Sequence, residues 1–96
     1  MPDALRFEWD QNKAAQNRAK HRVSFEEAVT VLGDLLGRIT DDPRHSEGEE
    51  RYILLGLSER QRLLAVMFTE RGDAIRLISA RKATRHERRD YEENKS

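Results

Sequence analysis

The sequence predicts an α+β fold, in which a small antiparallel sheet of three to four strands packs with two N-terminal helices and one C-terminal helix. Two observations carry this prediction. Alternating or continuously apolar stretches, separated by short turns, fill most of the second half of the chain, which is typical of an antiparallel meander. Helix-start signatures lie on either side of these stretches, at Ser24 and at Thr84.

Composition bounds the class of protein. The chain has 96 residues, enough for one modest core, so we expect residues 1–96 to form a single domain. It has 18 Lys and Arg against 18 Asp and Glu, which argues against binding nucleic acid by bulk charge alone. The absence of cysteine excludes disulfides and thiolate chemistry. No apolar run suits a membrane span or a signal peptide, so we expect a cytoplasmic protein.

The N-terminal third predicts one short strand and two helices. Leu5–Trp9 alternates like a strand, and Asp10 is a good N-cap for the alanine-rich helix that follows. Ser24 and Glu27 form an S-x-x-E capping box for the second helix, and Gly33 is placed to end it. The stripe of that helix that would face the core consists of Phe25, Ala28, Val29 and Leu32.

The sheet is predicted from four stretches that follow the second helix. Leu36–Thr40 is a weak strand, whereas Arg51–Ser58, Arg62–Glu70 and Asp73–Lys82 are strong ones. The central strands are apolar on both faces. Helices should therefore cover at least part of the sheet.

The C-terminal helix is expected to begin at a second capping box, Thr84 with Glu87. Tyr91 is its one large apolar residue, so the helix either rests on the sheet through Tyr91 and arginine stems or waits for a partner. The charges of the whole chain also separate, with an acidic segment at Asp41–Glu50 and a basic one at Arg71–Arg89. A neutral chain can therefore still present a basic surface to a polyanion.

Two basic positions allow both a functional and a structural interpretation. Arg81 ends the last strand just before a helix N-terminus, where free N–H groups and the guanidinium fork would suit a phosphate. It could equally be an ordinary charged strand end. Lys20 and His21 close the first helix, where cations suit the helix dipole. They could also form a proton-transfer pair, because histidine titrates near neutrality.

The other charged clusters are less specific. His45 with the glutamates after it invites a metal site, but a single histidine is a weak ligand signal and an acidic loop is the simpler interpretation. Arg51 begins a strand and could point toward the same sheet edge as Arg81. Glu70 and Arg71 flank a hairpin turn, either as rim charges or as an ion pair at an active edge.

Known catalytic motifs are otherwise missing from the sequence. It contains no P-loop, G-x-G-x-x-G, H-E-x-x-H or G-x-S-x-G pattern, which argues against the corresponding nucleotide-binding, metalloprotease and serine-hydrolase classes. Cleavage of RNA by its own 2′-OH remains compatible with these residues. It needs a base, an acid and cations around the phosphorane, which Lys, His, Arg and Glu can supply.

Three stretches in this order, "FEWDQNKAAQNRAKHRVSFEEA", "HSEGEER" and "IRLISARKATRHERRDYEE", resemble the BrnT family of type II toxins. The resemblance runs from Phe7 to Glu93. It implies a RelE-like fold and a ribonuclease that arrests translation without a metal or other cofactor. It also implies a ribbon-helix-helix, BrnA-like antitoxin that neutralises the toxin and through which alone the complex contacts operator DNA.

The resemblance assigns roles to particular residues. Lys20 and His21 match the family's "KH", Glu50 and Arg51 match its "ER", and Arg81 ends its "ISAR" strand. The implied roles are phosphate binding for the two arginines and acid and base for Lys20 and His21, with Glu50 as a further proton carrier. Arg71 and Arg76 fall in the family's basic hairpin region, and we expect Arg71, Arg76, Lys82 and Arg85 to bind RNA.

One departure from the family pattern affects the first helix. The family usually has glycine after "KH", where this chain has Arg22. Glycine would be a natural left-handed helix stop, and arginine in that conformation costs on the order of 1 kcal/mol. The geometry of Lys20 and His21 could therefore differ from that of the family.

Two other classes of function stay open at this stage. A non-catalytic module that binds protein or RNA, such as a decayed toxin, would explain the lack of an unmistakable acid–base pair. A DNA-binding repressor is a weaker alternative, because no recognition helix stands out. If the chain is a toxin, we expect the antitoxin to cover the C-terminal helix or the neighbouring edge.

Overall fold

The computed structural model describes residues 6–44 and 48–95. Within these residues, no helix has the length and apolar composition that crossing a lipid bilayer requires. The elements in chain order are β1 (Arg6–Glu8), α1 (Gln11–His21), α2 (Phe25–Thr30) with a 3₁₀ turn (Val31–Gly33), β2 (Arg38–Asp41), β3 (Arg51–Leu57), β4 (Leu63–Arg71), β5 (Ala74–Lys82) and α3 (Arg85–Lys95).

The five strands form one mixed sheet in the order β1-β5-β4-β3-β2. The pairs β3–β4 and β4–β5 are antiparallel, as the meander predicts, and β2 pairs antiparallel with β3 as well. The three-residue β1 pairs parallel with β5, with Phe7 opposite Ile75. The prediction of an antiparallel sheet of three to four strands is therefore wrong in strand number and in direction. The local alternation of β1 could not show that its partner lies almost the whole chain away.

Two apolar clusters lie on opposite faces of the sheet, which confirms that the central strands are buried on both sides. Each large apolar side chain that is fully buried contributes about 1.5–3 kcal/mol. Helices α1 and α2 cover the larger cluster, which contains Val23, Phe25, Ala28, Val31, Leu54, Leu64, Val66, Phe68, Leu77 and Ala80. The cluster on the α3 side contains Leu55, Leu63, Ala65, Met67 and Tyr91.

The predicted N-caps of the first two helices form. Asp10 Oδ1 accepts hydrogen bonds from the backbone N–H groups of Asn12 and Lys13, at 2.7 and 3.2 Å. Ser24 Oγ accepts from the backbone of Glu27 at 3.0 Å. Helix α2 ends at Thr30, and only its 3₁₀ continuation reaches Gly33.

The carboxylate of Glu27 has a different role from the one that the capping box predicts. It is almost fully buried, and it accepts hydrogen bonds from Nε and Nη2 of Arg62, the first at 2.9 Å. Ser58 Oγ donates to the same carboxylate at 2.7 Å. Arg62 lowers the pKa of Glu27, against the opposing effect of burial. An ion pair therefore joins α2 to the start of β4.

Helix α1 lies against the edge of β5 beyond the part that β1 covers, and Asn17 holds it there. The side-chain amide of Asn17 donates to the carbonyl oxygens of Ala80 and Val23, at 2.8 and 2.9 Å. Its Oδ1 accepts from the backbone N–H of Ala80 at 3.0 Å. Asn17 thus satisfies the edge of β5 as a neighbouring strand would. The rest of α1 is largely exposed, as its narrow alanine stripe predicts.

Helix α3 is anchored by Tyr91, as one of the two interpretations of its sequence predicts. The Tyr91 side chain is buried, and its hydroxyl donates to Asp34 Oδ2 at 2.6 Å. The same carboxylate oxygen accepts from the backbone N–H of Leu57 at 2.8 Å. Asp34 therefore connects α3, the end of β3 and the turn that leads into β2.

Candidate catalytic face

Three arginines from two strands point to the side of the sheet that α3 partly covers. Directly paired residues of neighbouring strands face the same side. Arg51 is opposite Thr69, which is opposite Arg76, and Arg81 is opposite Ala65. Ala65 belongs to the α3-side cluster. We call this side the arginine face and define it by Arg51, Arg76 and Arg81.

Two more arginines face the same side. Arg71 follows Thr69 by two residues on β4, at the hairpin end of the face. Arg38, which the sequence analysis did not single out, is opposite Leu55 on the edge strand β2. Arginines therefore lie on this side of the sheet from β2 to β5, although the chain as a whole is neutral.

The guanidinium of Arg81 forms a bidentate ion pair with Glu87. Nη1 lies 2.7 Å from Oε1 and Nη2 lies 3.0 Å from Oε2, with about a quarter of each side chain exposed. Glu87 Oε1 also accepts from the backbone N–H of Thr84 at 2.8 Å, and Thr84 Oγ1 accepts from that of Glu87 at 3.1 Å. The second capping box is therefore confirmed, and its glutamate also engages the candidate phosphate ligand.

The ion pair fixes the charge state of both groups. The hydrogen bond from Arg81 holds the pKa of Glu87 below its ordinary value, and the same bond raises the pKa of Arg81. Both side chains are therefore charged at neutral pH. A phosphate that approaches Arg81 has to share the guanidinium fork with Glu87 or displace it.

Arg51 lies beside a buried carboxylate that the sequence analysis missed. Asp42 is 4% exposed, and its Oδ2 lies 4.0 Å from Arg51 Nε. Among the described residues, Arg51 Nε is buried without a hydrogen-bond partner. The charge of Asp42 also contributes to the raised pKa of Arg81, after the stronger effect of Glu87. Arg51 is opposite Thr69 and Arg81 is opposite Ala65, four residues apart on β4, so the two arginines lie toward opposite ends of the arginine face and not at one shared sheet edge.

Glu50 and Arg71 are brought together at the hairpin end of the sheet. They line an open groove of about 380 Å³, which we call the acidic groove; its other lining residues are Gly48, Glu49, Tyr52, Thr69 and Glu70. Burial and then the charges of Glu50, Glu70 and Asp41 raise the pKa of Tyr52. The acidic groove therefore has a negative local field.

Lys20 and His21 lie in a different place. With Ile78 and Ser79 they line an open groove of about 260 Å³ along β5, the edge groove, whose other lining residues are Lys13, Gln16 and Asn17. Ser79 precedes Arg81 by two residues, about 7 Å along a strand. The structure therefore places this pair near the Arg81 end of the sheet and not in the cavity that Glu50 lines.

The remaining RNA-binding candidates occupy separate positions. Arg76 Nη1 lies 3.9 Å from Glu8 Oε2, and about a quarter of its side chain is exposed. Lys82 is opposite Leu64, which belongs to the cluster under α1 and α2, so it faces away from Arg81. Arg85 is exposed at the start of α3.

The left-handed helix stop forms with Arg22 in it. Arg22 has φ 60° and ψ 33°, and its backbone N–H donates to the carbonyl of Arg18 at 2.9 Å. Arg62 Nη2 donates to the carbonyl of Arg22 at 2.9 Å. Helix α1 therefore ends at His21 with Arg22 as its C-cap, and Arg62 stabilises a conformation that costs arginine on the order of 1 kcal/mol.

The histidine of the predicted acidic loop, His45, lies outside the described residues, as does Glu47. In the part of the chain that the structure describes, no group of three or more His, Asp or Glu side chains is arranged to hold a metal ion.

Comparison with known proteins finds both a family model and solved structures that match this chain. A family model described as the ribonuclease toxin BrnT of type II toxin–antitoxin systems matches residues 9–87. Among solved structures, the crystal structure of the Brucella abortus ribonuclease toxin BrnT is similar, with a TM-score of 0.63 and 25% sequence identity. The match covers 85% of this chain and 100% of that one. Comparison with curated protein sequences finds no match.

Proposed function

Because this chain belongs to the BrnT family of ribonuclease toxins of type II toxin–antitoxin systems, we propose that it cleaves RNA without a metal ion and thereby arrests translation. The observation that carries the proposal is the arginine face, on which Arg51, Arg76 and Arg81 point to the same side of the sheet. Guanidinium groups on one face of a sheet can bind phosphates and stabilise the charge that develops on a pentacoordinate phosphate.

The proposed reaction uses the RNA itself as nucleophile. The 2′-oxygen attacks the adjacent phosphorus and gives its proton to a base, while an acid protonates the departing 5′-oxygen. The products are a 2′,3′-cyclic phosphate and a 5′-hydroxyl. Arg51, whose side chain is about a quarter exposed, would bind a phosphate through the outer part of its guanidinium. Arg81 would share its fork between Glu87 and the phosphate.

Lys20 and His21 are the proposed proton carriers. They line the edge groove with Ser79, on the strand that ends in Arg81. Glu50 is a less well placed carrier, because it lies in the acidic groove at the other end of β4. We propose that Arg71 and Arg76 bind flanking phosphates on the arginine face. Lys82 and Arg85 would extend this contact around the start of α3.

We also propose that residues 1–96 form a single RelE-like domain that acts in the cytoplasm. The support is one sheet shared by two apolar clusters, with α1 and α2 on one face and α3 on the other. The arginine face then remains open beyond α3, where a single-stranded RNA could reach it.

The proposed partner is a ribbon-helix-helix antitoxin, which alone would carry the operator contacts of the complex. Among the described residues, the large apolar side chains that are exposed are Leu35 (98%), Leu36 (47%) and Ile39 (58%). We call them the apolar edge. They lie beside the unpaired side of β2 and next to Asp34, which anchors α3. A partner that covers this edge would bury them and could pair with β2.

The turn that carries the apolar edge is well ordered by hydrogen bonds. Asp34 Oδ1 accepts from the backbone of Leu36 at 2.9 Å, and the carbonyl of Asp34 accepts from Gly37 at 3.0 Å. A Cβ on Gly37 would lie 3.1 Å from that carbonyl, so a larger residue would disturb the turn. A rigid turn that exposes a leucine is suited to binding, because little conformational entropy is lost.

Cleavage of a 5′-labelled single-stranded RNA in EDTA tests the catalytic proposal. The wild-type protein, free of antitoxin, should leave 2′,3′-cyclic phosphate ends. Arg51→Gln and Arg81→Gln should each lower the single-turnover rate by about 100-fold or more, the usual effect of removing one donor to a developing charge. Arg89→Gln, at an exposed position of α3, should stay within about twofold and serves as the matched control. Equal cutting by all four proteins would indicate a contaminating nuclease or another site.

A non-catalytic binding module remains a second candidate, favoured by one specific observation. The fork of Arg81 is closed by Glu87, and the proton carriers lie in two separate grooves. Induced expression discriminates between the two functions. A ribonuclease toxin should stop colony growth, with rescue by co-expressed antitoxin and loss of toxicity in Arg51→Gln. A binding module should leave growth unchanged in all cases.

A further inference from the structure

A second group of arginines lies apart from the arginine face, at the C-terminal end of α1. Arg18, Arg22 and Arg60 line an open groove of about 420 Å³, together with Ala19 and Ser24. We call it the Arg22 groove. None of these five lining residues is acidic. The Arg22 groove therefore contains positively charged side chains from the C-terminal end of α1 and from the turn between β3 and β4.

The positive charge of the groove is not cancelled by the buried carboxylate beneath it. Glu27 is already held by Nε and Nη2 of Arg62 and by Ser58. Arg60 Nη1 lies 3.7 Å from Glu27 Oε1, and its side chain is 69% exposed. Arg18 and Arg22 are also exposed. The Glu27 carboxylate is thus engaged mainly by Arg62, and the exposed guanidinium groups of Arg18, Arg22 and Arg60 can attract an anion from solution.

The backbone of Arg22 provides an independent observation. Its φ of 60° lies in the left-handed region, which favours glycine, yet an arginine occupies the position. Strained backbone of this kind persists where the surrounding structure holds it and is concentrated at functional sites. Here Arg62 holds the carbonyl of Arg22, and the strained residue contributes its side chain to the groove.

We propose that the Arg22 groove binds a backbone phosphate of the RNA substrate. This inference rests on the proposed ribonuclease function. Arg18 lies in the last turn of α1 and Arg22 is its C-cap, and both line the same groove. Lys20 and His21 face the edge groove on another side of the same helical turn. An RNA strand that crosses the end of α1 would place one phosphate in the Arg22 groove and another near the edge groove.

Arginine suits this ligand better than an apolar or neutral one. Its planar fork matches the oxygens of a phosphate, and several forks can approach one phosphate from different elements. The contact would position RNA without reading its sequence, because phosphates carry no base information.

The test measures the affinity of the protein for a fully 2′-O-methylated single-stranded RNA, which cannot be cleaved through its 2′-oxygen. The dissociation constant is measured by fluorescence anisotropy over a series of salt concentrations. Each lost phosphate contact should reduce the slope of log K against log salt by about 0.7 for a single strand. Arg22→Gly and Arg60→Gln should each show this reduction, with affinity weakened about three- to tenfold at low salt.

Arg22→Gly separates binding from folding, because the two effects have opposite signs. Removing the strain should raise the urea midpoint of unfolding, while removing the guanidinium should weaken RNA binding. Gln61 has φ 62° in the turn between β3 and β4 and carries no charge. Gln61→Gly is therefore the matched control, expected to raise the urea midpoint and leave affinity and salt slope unchanged.

Two outcomes would overturn the proposal. The first is an unchanged affinity and salt slope in both Arg22→Gly and Arg60→Gln. The second is weakened binding of the antitoxin with unchanged RNA binding, which would assign the groove to an acidic segment of that protein. Cleavage of unmodified RNA by the wild type is measured in a separate assay. Absence of cleavage would overturn the proposed catalysis, whereas the salt dependence of RNA binding tests the Arg22 groove.

Discussion

Arg81 and Glu87, six residues apart, join the end of β5 to the first turn of α3 through two hydrogen bonds of 2.7 and 3.0 Å. Glu87 also caps the helix through Thr84. One carboxylate therefore sets the start of a helix and the orientation of the arginine that we propose binds the scissile phosphate. Any change at Glu87 should alter both stability and the behaviour of Arg81 toward RNA.

Glu87→Gln should separate the effect of Glu87 on RNA affinity from its effect on the position of the Arg81 guanidinium. We expect tighter RNA binding, by severalfold, because a negative charge beside the phosphate is removed. The single-turnover cleavage rate should fall by about tenfold, because the amide cannot hold both arms of the fork of Arg81. Stability should fall by about 1–2 kcal/mol, since hydrogen bonds to a charged group are lost.

The control for this variant is Glu92→Gln, at an exposed position of the same helix with the same change in charge. It should leave the cleavage rate within about twofold and stability within about 0.5 kcal/mol. If Glu87→Gln changes stability alone, with both RNA affinity and rate equal to those of the wild type, the ion pair has only a structural role.

Acid should destabilise the fold through Glu27 and Glu87. Arg62 and Arg81 respectively hold the pKa of each carboxyl below its ordinary value of 4.5. The ionised form is thus favoured in the folded state, so the contribution is complete above about pH 4.5 and is lost as the pH falls through the lowered folded pKa. Urea unfolding at pH 7, 5, 4 and 3 should show little change to pH 5 and a decline below it.

Glu27→Gln checks the origin of that decline. At pH 7 the variant should lose about 2–3 kcal/mol, because it breaks a pair whose carboxylate is buried and whose guanidinium is a quarter exposed. Below pH 4.5 it should lose less further stability than the wild type. Parallel pH profiles for the two proteins would contradict the assignment to Glu27.

Asn17→Ala should detach α1 from the edge of β5. Asn17 makes three hydrogen bonds to backbone groups, all in buried surroundings. We expect a loss of about 2–3 kcal/mol, because buried backbone groups of Ala80 and Val23 lose their partners. Asn12→Ala, at an exposed position of α1, should stay within about 0.5 kcal/mol. Chemical denaturation of the three proteins measures the difference.

The elements predicted from sequence were those whose signals are local. The caps at Asp10, Ser24 and Thr84 lie within three residues of the groups that they bind, so their spacing alone predicts them. The parallel partner of β1 lies about seventy residues away and leaves no local trace. Asn17 gave no signal either, because an asparagine in a polar helix looks like any exposed residue.

The candidate site likewise combines features that local sequence predicts with features that depend on residues distant in the chain. Arg51, Arg76 and Arg81 could be placed at strand positions, but their common face depends on the register of β3, β4 and β5, including the irregularity between Met67 and Phe68. Simple alternation along β5 does not reveal where such an irregularity lies, and an irregularity of one residue changes the face of every residue beyond it. Asp42 was missed for a related reason. It lies in an acidic stretch that predicts a solvated loop, whereas in the fold it is buried beside Arg51.

Alkaline pH should loosen α3 through Tyr91. Burial, and after it the hydrogen bond to Asp34, raises the pKa of Tyr91 to about 12 from an ordinary value of 10.0. The protonated form is favoured in the folded state, so the contribution is complete below pH 10 and is lost between pH 10 and about 12. Tyr91→Phe should cost about 1–2 kcal/mol at pH 7 and show a smaller alkaline loss.

Urea unfolding at pH 8, 10 and 11 measures this effect, with Tyr52→Phe as the comparison. Tyr52 stacks near Phe68 at a ring-centroid distance of 5.4 Å, on the other side of the sheet from α3. Tyr52→Phe should therefore still lose, at alkaline pH, the part of the folding stability that depends on the Tyr91 hydroxyl. An alkaline profile of Tyr91→Phe identical to that of the wild type would contradict the role of this hydroxyl.

Leu35→Ser should weaken antitoxin binding without affecting the fold. The Leu35 side chain is 98% exposed, so its replacement should change the free energy of unfolding by less than about 0.5 kcal/mol. If the apolar edge is the centre of the antitoxin interface, the dissociation constant should rise by about tenfold or more. Calorimetric titration with the cognate antitoxin measures it, and Gln11→Ser, exposed at the start of α1, is the control.

The same variant tests whether the apolar edge belongs to another interface. An unchanged antitoxin affinity, with dimers of the wild type that dissociate in Leu35→Ser, would assign the edge to contacts between copies of this chain. RNA cleavage should be equal in wild type and Leu35→Ser, because Leu35 lies on the turn before β2 and outside the arginine face. Growth inhibition by Leu35→Ser should then persist in the presence of antitoxin, whereas that of the wild type is relieved.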